Sequence, residues 1–448
     1  MVLFSDLRIL AIVFGGCLLV LSFFRPWRGL LIFSAALFYE AAIDMKLFVI
    51  ESSHLYRSWD ALGSFKLFGM AIVIGWFLQA LIKKRVKLPP PSRIWLLIGI
   101  FMIIVISGMF SIYKANTLVY IYSFLGVVGI YFMICDLCFE HKRIEQLLLV
   151  VAIAALINAL IAIVQYIFKI DVPWDLGYKF GQYRVVGGMS DPNYFGYQIL
   201  TVFPIIFFFF YRTRSKLKKI VLFAIEMIMV TSIVLTFSRA AFITLCVVLF
   251  FLMIIFIKHK KLSYVIVIIL MTSLLGVVIF ANPKYSERLS TLFGVAEIGQ
   301  YGETSERTLK TREDIFFTGT KMFLDHFWLG VGPNNFPIYL ESYAHRSLLI
   351  SRGRGAHNSF LGVSAELGIF GLCLFLLWIL FILKGLRFTR KRVPNDPSSA
   401  LLSEVLQISI FANLFMLTTL GTSFNVKLLW IWFGLAEAMR QVSISGRT

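Results

Sequence analysis

The chain has 448 residues, of which 59% are hydrophobic and only 15% charged, a balance that one soluble core with a polar skin cannot accommodate. A soluble globular protein is thereby excluded, and the chain reads as an integral membrane protein. Its formal charge of +19 does not mark a nucleic-acid binder, because KKRVK (83–87), RTRSKLKK (212–219), KHKK (258–261) and KGLRFTRKR (384–392) each stand between apolar runs and act as topology anchors.

Runs long enough to cross roughly 30 Å of hydrocarbon as helices fall at 7–24, 67–82, 95–113, 117–138, 147–168, 197–211, 220–237, 240–257, 262–281, 359–383 and 401–420, with shorter candidates at 29–43 and 428–439. The expected fold is all-α, a polytopic bundle of about 12 transmembrane helices with one large, partly helical loop. The first run has no small-residue cleavage site and is read as retained. RPWR (25–28) leaves the orientation of the first 60 or so residues open. All five cysteines lie in or beside apolar runs, which points to neither a disulfide framework nor a zinc site. Cys135-x-x-Cys138 has a redox spacing without the soluble βαβ context that such a motif needs.

Placing the basic clusters in the cytoplasm puts 169–196, Ser238-Arg239 and 282–358 together on the far side. Four segments follow: 1–168, N-terminal spans; 169–281, central spans; 282–358, the large loop; and 359–448, C-terminal spans. No internal repeat is visible, which weighs against a secondary transporter. The large loop is patterned. Thr311-Arg312-Glu313-Asp314 reads as a helix start, Ile315, Phe316, Met322, Phe323 and Phe327 recur at amphipathic spacing, and Gly330-Val331-Gly332-Pro333 ends the helix. The loop is expected to fold as a lid.

Polar candidates on the far side are Arg184, Asp191, Asn193, Arg239, Arg307, Arg312, His326, His345, Arg346, Arg352, Arg354 and His357. Arg239, in TFSRAAF, puts a permanent charge where one span ends and the next begins; it either snorkels to headgroups or serves a function. Guanidinium forks suit phosphate, and an anion living at that depth is a lipid-linked diphosphate. For Arg352 and Arg354, contact with lipid headgroups is the alternative to substrate binding. Arg312, read as lying in a first helical turn, opposes the helix dipole. His357, with Asn358 beside it, heads straight into a span. A neutral imidazole can accept a hydroxyl proton, although a lone histidine at a helix start is more often structural. Glu366 lies about 13 Å further along at roughly 1.5 Å per residue, so it reads as a packing or supporting group. Nucleotide-binding, Gly-x-Ser-x-Gly, His-Glu-x-x-His and Asp-x-Asp motifs are absent, which disfavours metal-dependent and nucleotide-driven chemistry.

His357-Asn358, nine residues, then Gly368-Ile369-Phe370-Gly371 resembles the loop-end signature of the O-antigen ligase and O-antigen polymerase superfamily of membrane glycosyltransferases. SDPNYFG (190–196) is similar to its Pro-Asn loop and TFSRAAF (236–242) to its Ser-Arg turn. TREDIFFTGTKMFLDHFWLGVGPNNF (311–336) is similar to its Arg-led helix followed by Gly-x-Gly-x-x-x-Phe. The similarity covers about residues 170–385. It implies a GT-C-like fold in the bacterial inner membrane, with the site on the periplasmic side. It further implies metal-independent, cofactor-free, inverting transfer of a glycan from undecaprenyl diphosphate to an acceptor hydroxyl. His357 would activate that hydroxyl, Arg239, Arg312 and Arg184 would bind the diphosphate, and Asn193, Asn358, Arg352 and Arg354 would support them. The acceptor would be a lipid A core for a ligase or a second lipid-linked repeat for a polymerase, and these motifs do not separate the two. The rival reading is a transporter or flippase of lipid-linked glycan, which would need cations near mid-membrane.

Overall fold

A computed structural model describes residues 2–43, 64–84, 86–172, 178–179, 182–281, 300–343, 355–392, 396–420 and 425–445. In chain order the helices are α1 Val2–Phe24, α2 Pro26–Ala36, α3 Glu40–Ile43, α4 Ser64–Lys83, α5 Pro91–Met109, α6 Lys114–Leu137, α7 His141–Phe168, α8 Pro192–Arg212, α9 Lys216–Val234, α10 Arg239–Lys258, α11 Leu262–Ala281, α12 Gln300–Asp325, α13 Phe336–Tyr343, α14 Ser359–Arg392, α15 Pro397–Leu417 and α16 Lys427–Ser445. The described extended structure is one small hairpin, β1 Tyr178–Lys179 with β2 Gln182–Tyr183, paired antiparallel. Eight described helices, α4 to α8, α10, α14 and α15, are long and apolar enough to cross a membrane. The chain is a multi-pass, all-helical membrane protein.

Local signals explain where spans begin. Pro91 opens α5 and Pro397 opens α15, at the first helical position where a missing N–H costs nothing. The Asp396 carboxylate accepts from the Ser398 and Ser399 amides at 3.0 and 3.2 Å. Between their ends the spans turn large apolar residues outward, among them Trp95, Leu118 and Phe250, as lipid-facing surfaces require.

The chain divides into two compact units. The first comprises Met1–Val151, Ile315–Asn395 and Leu420–Thr448, and the second comprises Ala152–Asp314 and Asp396–Thr419. In the first, α1 lies along α4, with the Ser22 hydroxyl donating to the Ile72 carbonyl at 2.7 Å. Gly75 permits that approach, since a Cβ there would stand 2.5 Å from the Leu19 carbonyl oxygen. α16 packs between α6 and α14 through an aromatic core, the Trp378 and Trp430 rings 5.7 Å apart and Tyr131 edge-on to Trp378 at 5.2 Å. In the second unit the buried helix α8 packs against α9, α10 and α15, and Tyr197 donates to the Asn413 amide oxygen.

At one end of the first unit Glu437, itself buried, pairs with Arg93 at 3.5 Å and Arg440 at 2.5 Å, while Arg93 also donates to the Phe381 carbonyl at 2.9 Å. Removing one partner of such a buried cluster leaves uncompensated charge. We expect Glu437→Ala to lower stability by about 3 to 5 kcal/mol, read as a drop in detergent-solubilised thermal unfolding, and Glu437→Gln to lose less.

Candidate functional site

In the second unit the segment 182–196 is tied to α7 by side-chain hydrogen bonds to its backbone, and it meets the α9–α10 turn through the Val185 amide, which donates to the Leu235 carbonyl at 3.4 Å. Gln165 of α7 accepts from the Gly187 amide at 2.9 Å and donates to the Gly187 carbonyl at 2.9 Å, and Asn158 accepts from the Gly188 amide at 2.7 Å. Gly187 has φ +56° and no room for a Cβ, which would lie 2.3 Å from the Asn158 amide oxygen. Asp191 caps α8 by accepting from the Asn193 amide at 2.7 Å, with Pro192 at the first helical position.

That cap delivers Asn193 to the Ser-Arg turn. The Ser238 hydroxyl donates to the Asn193 side-chain oxygen at 2.7 Å, and as N-cap it accepts from the Ala241 amide at 3.3 Å. Phe237, at φ +49°, makes the reversal, a left-handed state that costs a bulky residue strain. Arg239 follows as the first residue of α10. Arg184 is buried and its Nε donates to the Thr236 carbonyl at 2.8 Å. One hydrogen-bonded patch therefore joins Arg184, Asn193 and the turn carrying Arg239.

Arg312 lies elsewhere than expected along its helix. α12 starts at Gln300, not at Thr311, so Thr311 is no cap and Arg312 is not in a first turn; the dipole argument for its function lapses. Chain membership also divides this helix. Arg312 belongs to the second unit and the helix from Ile315 onward to the first.

In the first unit Ile315 and Met322 of α12 form a core with Val331, Phe336 and Leu340 and with Ala356, Leu361 and Ala365 around the start of α14. The other face of α12 exposes Phe316, Phe317 and Leu324, an apolar surface fit for lipid. On the α13 side, burial pushes the Tyr339 phenol up, and burial together with a hydrogen bond to Asp325 pushes that of Tyr343 up to about 12. Both therefore remain neutral hydroxyls.

α14 is not continuous. Gly368 has φ +66° and ψ −166°, and the helix breaks there. In a regular helix the Ile369 amide would donate to the Ala365 carbonyl. Instead it donates to the Phe327 carbonyl at 2.8 Å, while the Ala365 and Glu366 carbonyls accept from the Val331 and Gly332 amides at 2.9 and 3.0 Å. The two backbones approach so closely that a Cβ on Gly368 would lie 2.2 Å from the Trp328 carbonyl oxygen, and one on Gly330 2.3 Å from the Glu366 carbonyl carbon. The Glu366 side chain accepts from the Phe336 amide at 3.1 Å and so caps α13, matching its reading as a supporting group. Ser111 completes the clasp by accepting from the Asn335 amide group at 2.7 Å.

His357 sits at the free end of this construction. It is partly buried with φ +49°, and Asn358 caps α14 by accepting from the Phe360 and Leu361 amides at 3.0 and 3.2 Å. Arg352 and Arg354 lie outside the described residues. Of the residues expected at the site, Arg184, Asn193 and Arg239 thus lie in the second unit and His357 and Asn358 in the first. Among the described residues no three His, Cys, Asp or Glu side chains group in a way that could hold a metal ion. The residues that sequence reading passed over are Asn158, Gln165, Ser111 and Asn335. Each is a buried amide or hydroxyl; Asn158 and Gln165 lie within an apolar run, whereas Ser111 and Asn335 lie between helices.

Residues 224–376 match the family model of O-antigen ligase, a span that takes in the Ser-Arg turn, Arg312, the clasp and His357 but not Arg184 or Asn193. No curated protein matched the chain in a sequence search.

The clasp predicts a sharp contrast between glycines. Gly368→Ala and Gly330→Ala should each destabilise the protein by more than about 1 to 3 kcal/mol, the usual scale of backbone strain, because backbone atoms cannot step aside. Gly362→Ala, whose Cβ would meet only that of Ala356 at 3.6 Å, should be tolerated. Thermal unfolding in detergent and the yield of monodisperse protein measure both.

Proposed function

We propose that this chain, whose residues 224–376 match the O-antigen ligase family model, is a metal-independent, inverting glycosyltransferase of the bacterial inner membrane. It would transfer a glycan from undecaprenyl diphosphate to an acceptor hydroxyl at the extracytoplasmic face. The observation that carries the reading is the N-terminus of α14, where a histidine in a left-handed backbone immediately precedes the Asn358 cap of a helix whose break at Gly368 is clasped by the 327–332 segment.

In the proposed reaction the acceptor oxygen forms a bond to the anomeric carbon from the face opposite the diphosphate, and the carbon–oxygen bond to the diphosphate breaks. The hydroxyl proton passes to the His357 imidazole. The bonding electron pair leaves with the diphosphate, whose growing charge Arg239 and Arg312 neutralise, with Arg184 and Asn193 shaping the donor side. Support for the donor role comes from the hydrogen bonds that fix Arg184 and Asn193 around the Ser-Arg turn, since preorganised cations stabilise a leaving group best.

Purified full-length protein supplied with lipid-linked repeats should show product ladders on a gel. His357→Ala should cut the transfer rate by about 10² to 10⁴ while donor binding persists. Arg239→Ala or Arg312→Ala should weaken donor binding by roughly tenfold or more. Ladders of wild-type intensity from His357→Ala would remove the catalytic assignment. Chain growth from lipid-linked repeats alone marks a polymerase, and transfer only on addition of lipid A core marks a ligase.

A further inference from the structure

Away from the His357 segment, the first unit contains a cavity of about 250 Å³ between α2, α4, α6 and the start of α16. That is near the lower limit of ligand pockets, about 300 Å³, and suits the head and first carbons of an amphiphile better than a whole lipid. Its floor is apolar, with Phe33, Met70 and Ile130, and Gly69 and Gly126 leave the space open.

The mouth has the opposite character. Lys66, in the first turn of α4, and Lys427, the first residue of α16, both line it, so two ammonium groups and two positive helix ends converge on one opening. Lys427 is held in place by an ion pair with Glu40 and stands 4.6 Å above the Phe65 ring. Tyr122 donates to the Lys66 carbonyl at 3.3 Å. Asn425, also in the lining, donates weakly to the Tyr120 carbonyl at 3.4 Å, but its buried side-chain oxygen has no hydrogen-bond partner. An orphaned acceptor of that kind needs a donor, and a sugar hydroxyl is one. Phosphate oxygens are not.

Position agrees with this chemistry. KKRVK follows the C-terminal end of α4, so by the distribution of positive charge the mouth lies at the opposite membrane face, the one assigned to His357. Asn334 forms part of the cavity wall and belongs to the clasped segment whose Phe336 amide is held by Glu366. The wall of the cavity is thus continuous with the support of the His357 helix.

We propose that this cavity is a second amphiphile site, which takes the phosphate-bearing head and first sugar of a phosphorylated glycolipid acceptor. Naming it the acceptor site rests on the glycosyltransferase reading; the binding itself does not. The lysines hold the phosphate, Asn425 accepts from the sugar, and the apolar floor receives the start of the lipid chain.

The test is equilibrium binding of radiolabelled farnesyl diphosphate hexose to full-length protein in nanodiscs. Wild type should bind two equivalents, and Gly126→Leu should bind one. A side chain at position 126 is sterically accepted, since its Cβ would meet only the Met70 sulfur at 3.5 Å, and the longer side chain fills the cavity. Lys66→Gln, at the mouth, should weaken the second equivalent by about tenfold, the scale of one charge-assisted hydrogen bond, and so checks the site without touching the core. Arg239→Ala should spare this equivalent and weaken the other, so failure of the donor assignment is read separately. Two equivalents of unchanged affinity in both Gly126→Leu and Lys66→Gln would overturn the proposal. So would displacement of the second equivalent by phosphatidylglycerol as readily as by unlabelled probe, which would make the cavity a phospholipid site.

Discussion

The constraint on which the rest depends is that a helix broken inside a membrane protein must find new partners for the backbone groups it releases. In a hydrocarbon surrounding no water can take them. α14 breaks at Gly368, and the 327–332 segment supplies what is missing, two amides for the freed carbonyls and one carbonyl for the freed amide. The exchange works only at van der Waals contact between backbones, hence glycine on both sides, Gly330 and Gly368. The clasp adds backbone hydrogen bonds to the side-chain contacts that already hold 315–340 against the start of α14. The histidine at the head of that span thereby acquires a fixed distance from the clasped segment along the helix.

This clasp also gives physical meaning to the spacing in the motif His-Asn, nine residues, Gly-x-x-Gly. The residues from Ser359 to Leu367 form the first segment of α14, about 13 Å long at roughly 1.5 Å per residue. One end is set by the Asn358 cap and the other by the break. Lengthening or shortening it by one residue would rotate His357 by about 100° relative to the clasp. The spacing is thus a ruler between a chemical group and its anchor, and Glu366, near the anchor, serves the anchor by capping α13.

Hydropathy made most spans legible, because a run of some twenty apolar residues has few structural options. The local turns were legible in outline as well: TFSRAAF marks where one span ends and the next begins, and Asp191 and Ser238 are of the residue types that satisfy helix N-termini. What stayed hidden has a common cause. The break in α14 gave no local sign, since Gly368 is surrounded by Leu367, Ile369 and Phe370 and its conformation is imposed by a segment some forty residues earlier in the chain. The start of α12 was misread at Thr311 because QYGETSERTLK has no apolar period, and helix can extend through polar sequence once its C-terminal half is docked by Ile315 and Met322. The cradle of Gln165 and Asn158 was invisible for the same reason, a tertiary contact made by polar side chains within an apolar run.

The proposed roles divide according to what each group would have to do. A base would have to meet a hydroxyl that arrives with the acceptor, and His357 stands at the head of a helix whose first segment ends at the clasped break. Cations that neutralise a leaving diphosphate need rigidity instead, since a guanidinium that must reorient at the moment of bond cleavage loses much of its value. The Arg184 Nε is anchored to the Thr236 carbonyl, and the backbone of Arg239 is placed by the Ser238 cap and the left-handed Phe237, which is the kind of fixed placement the proposed role would need.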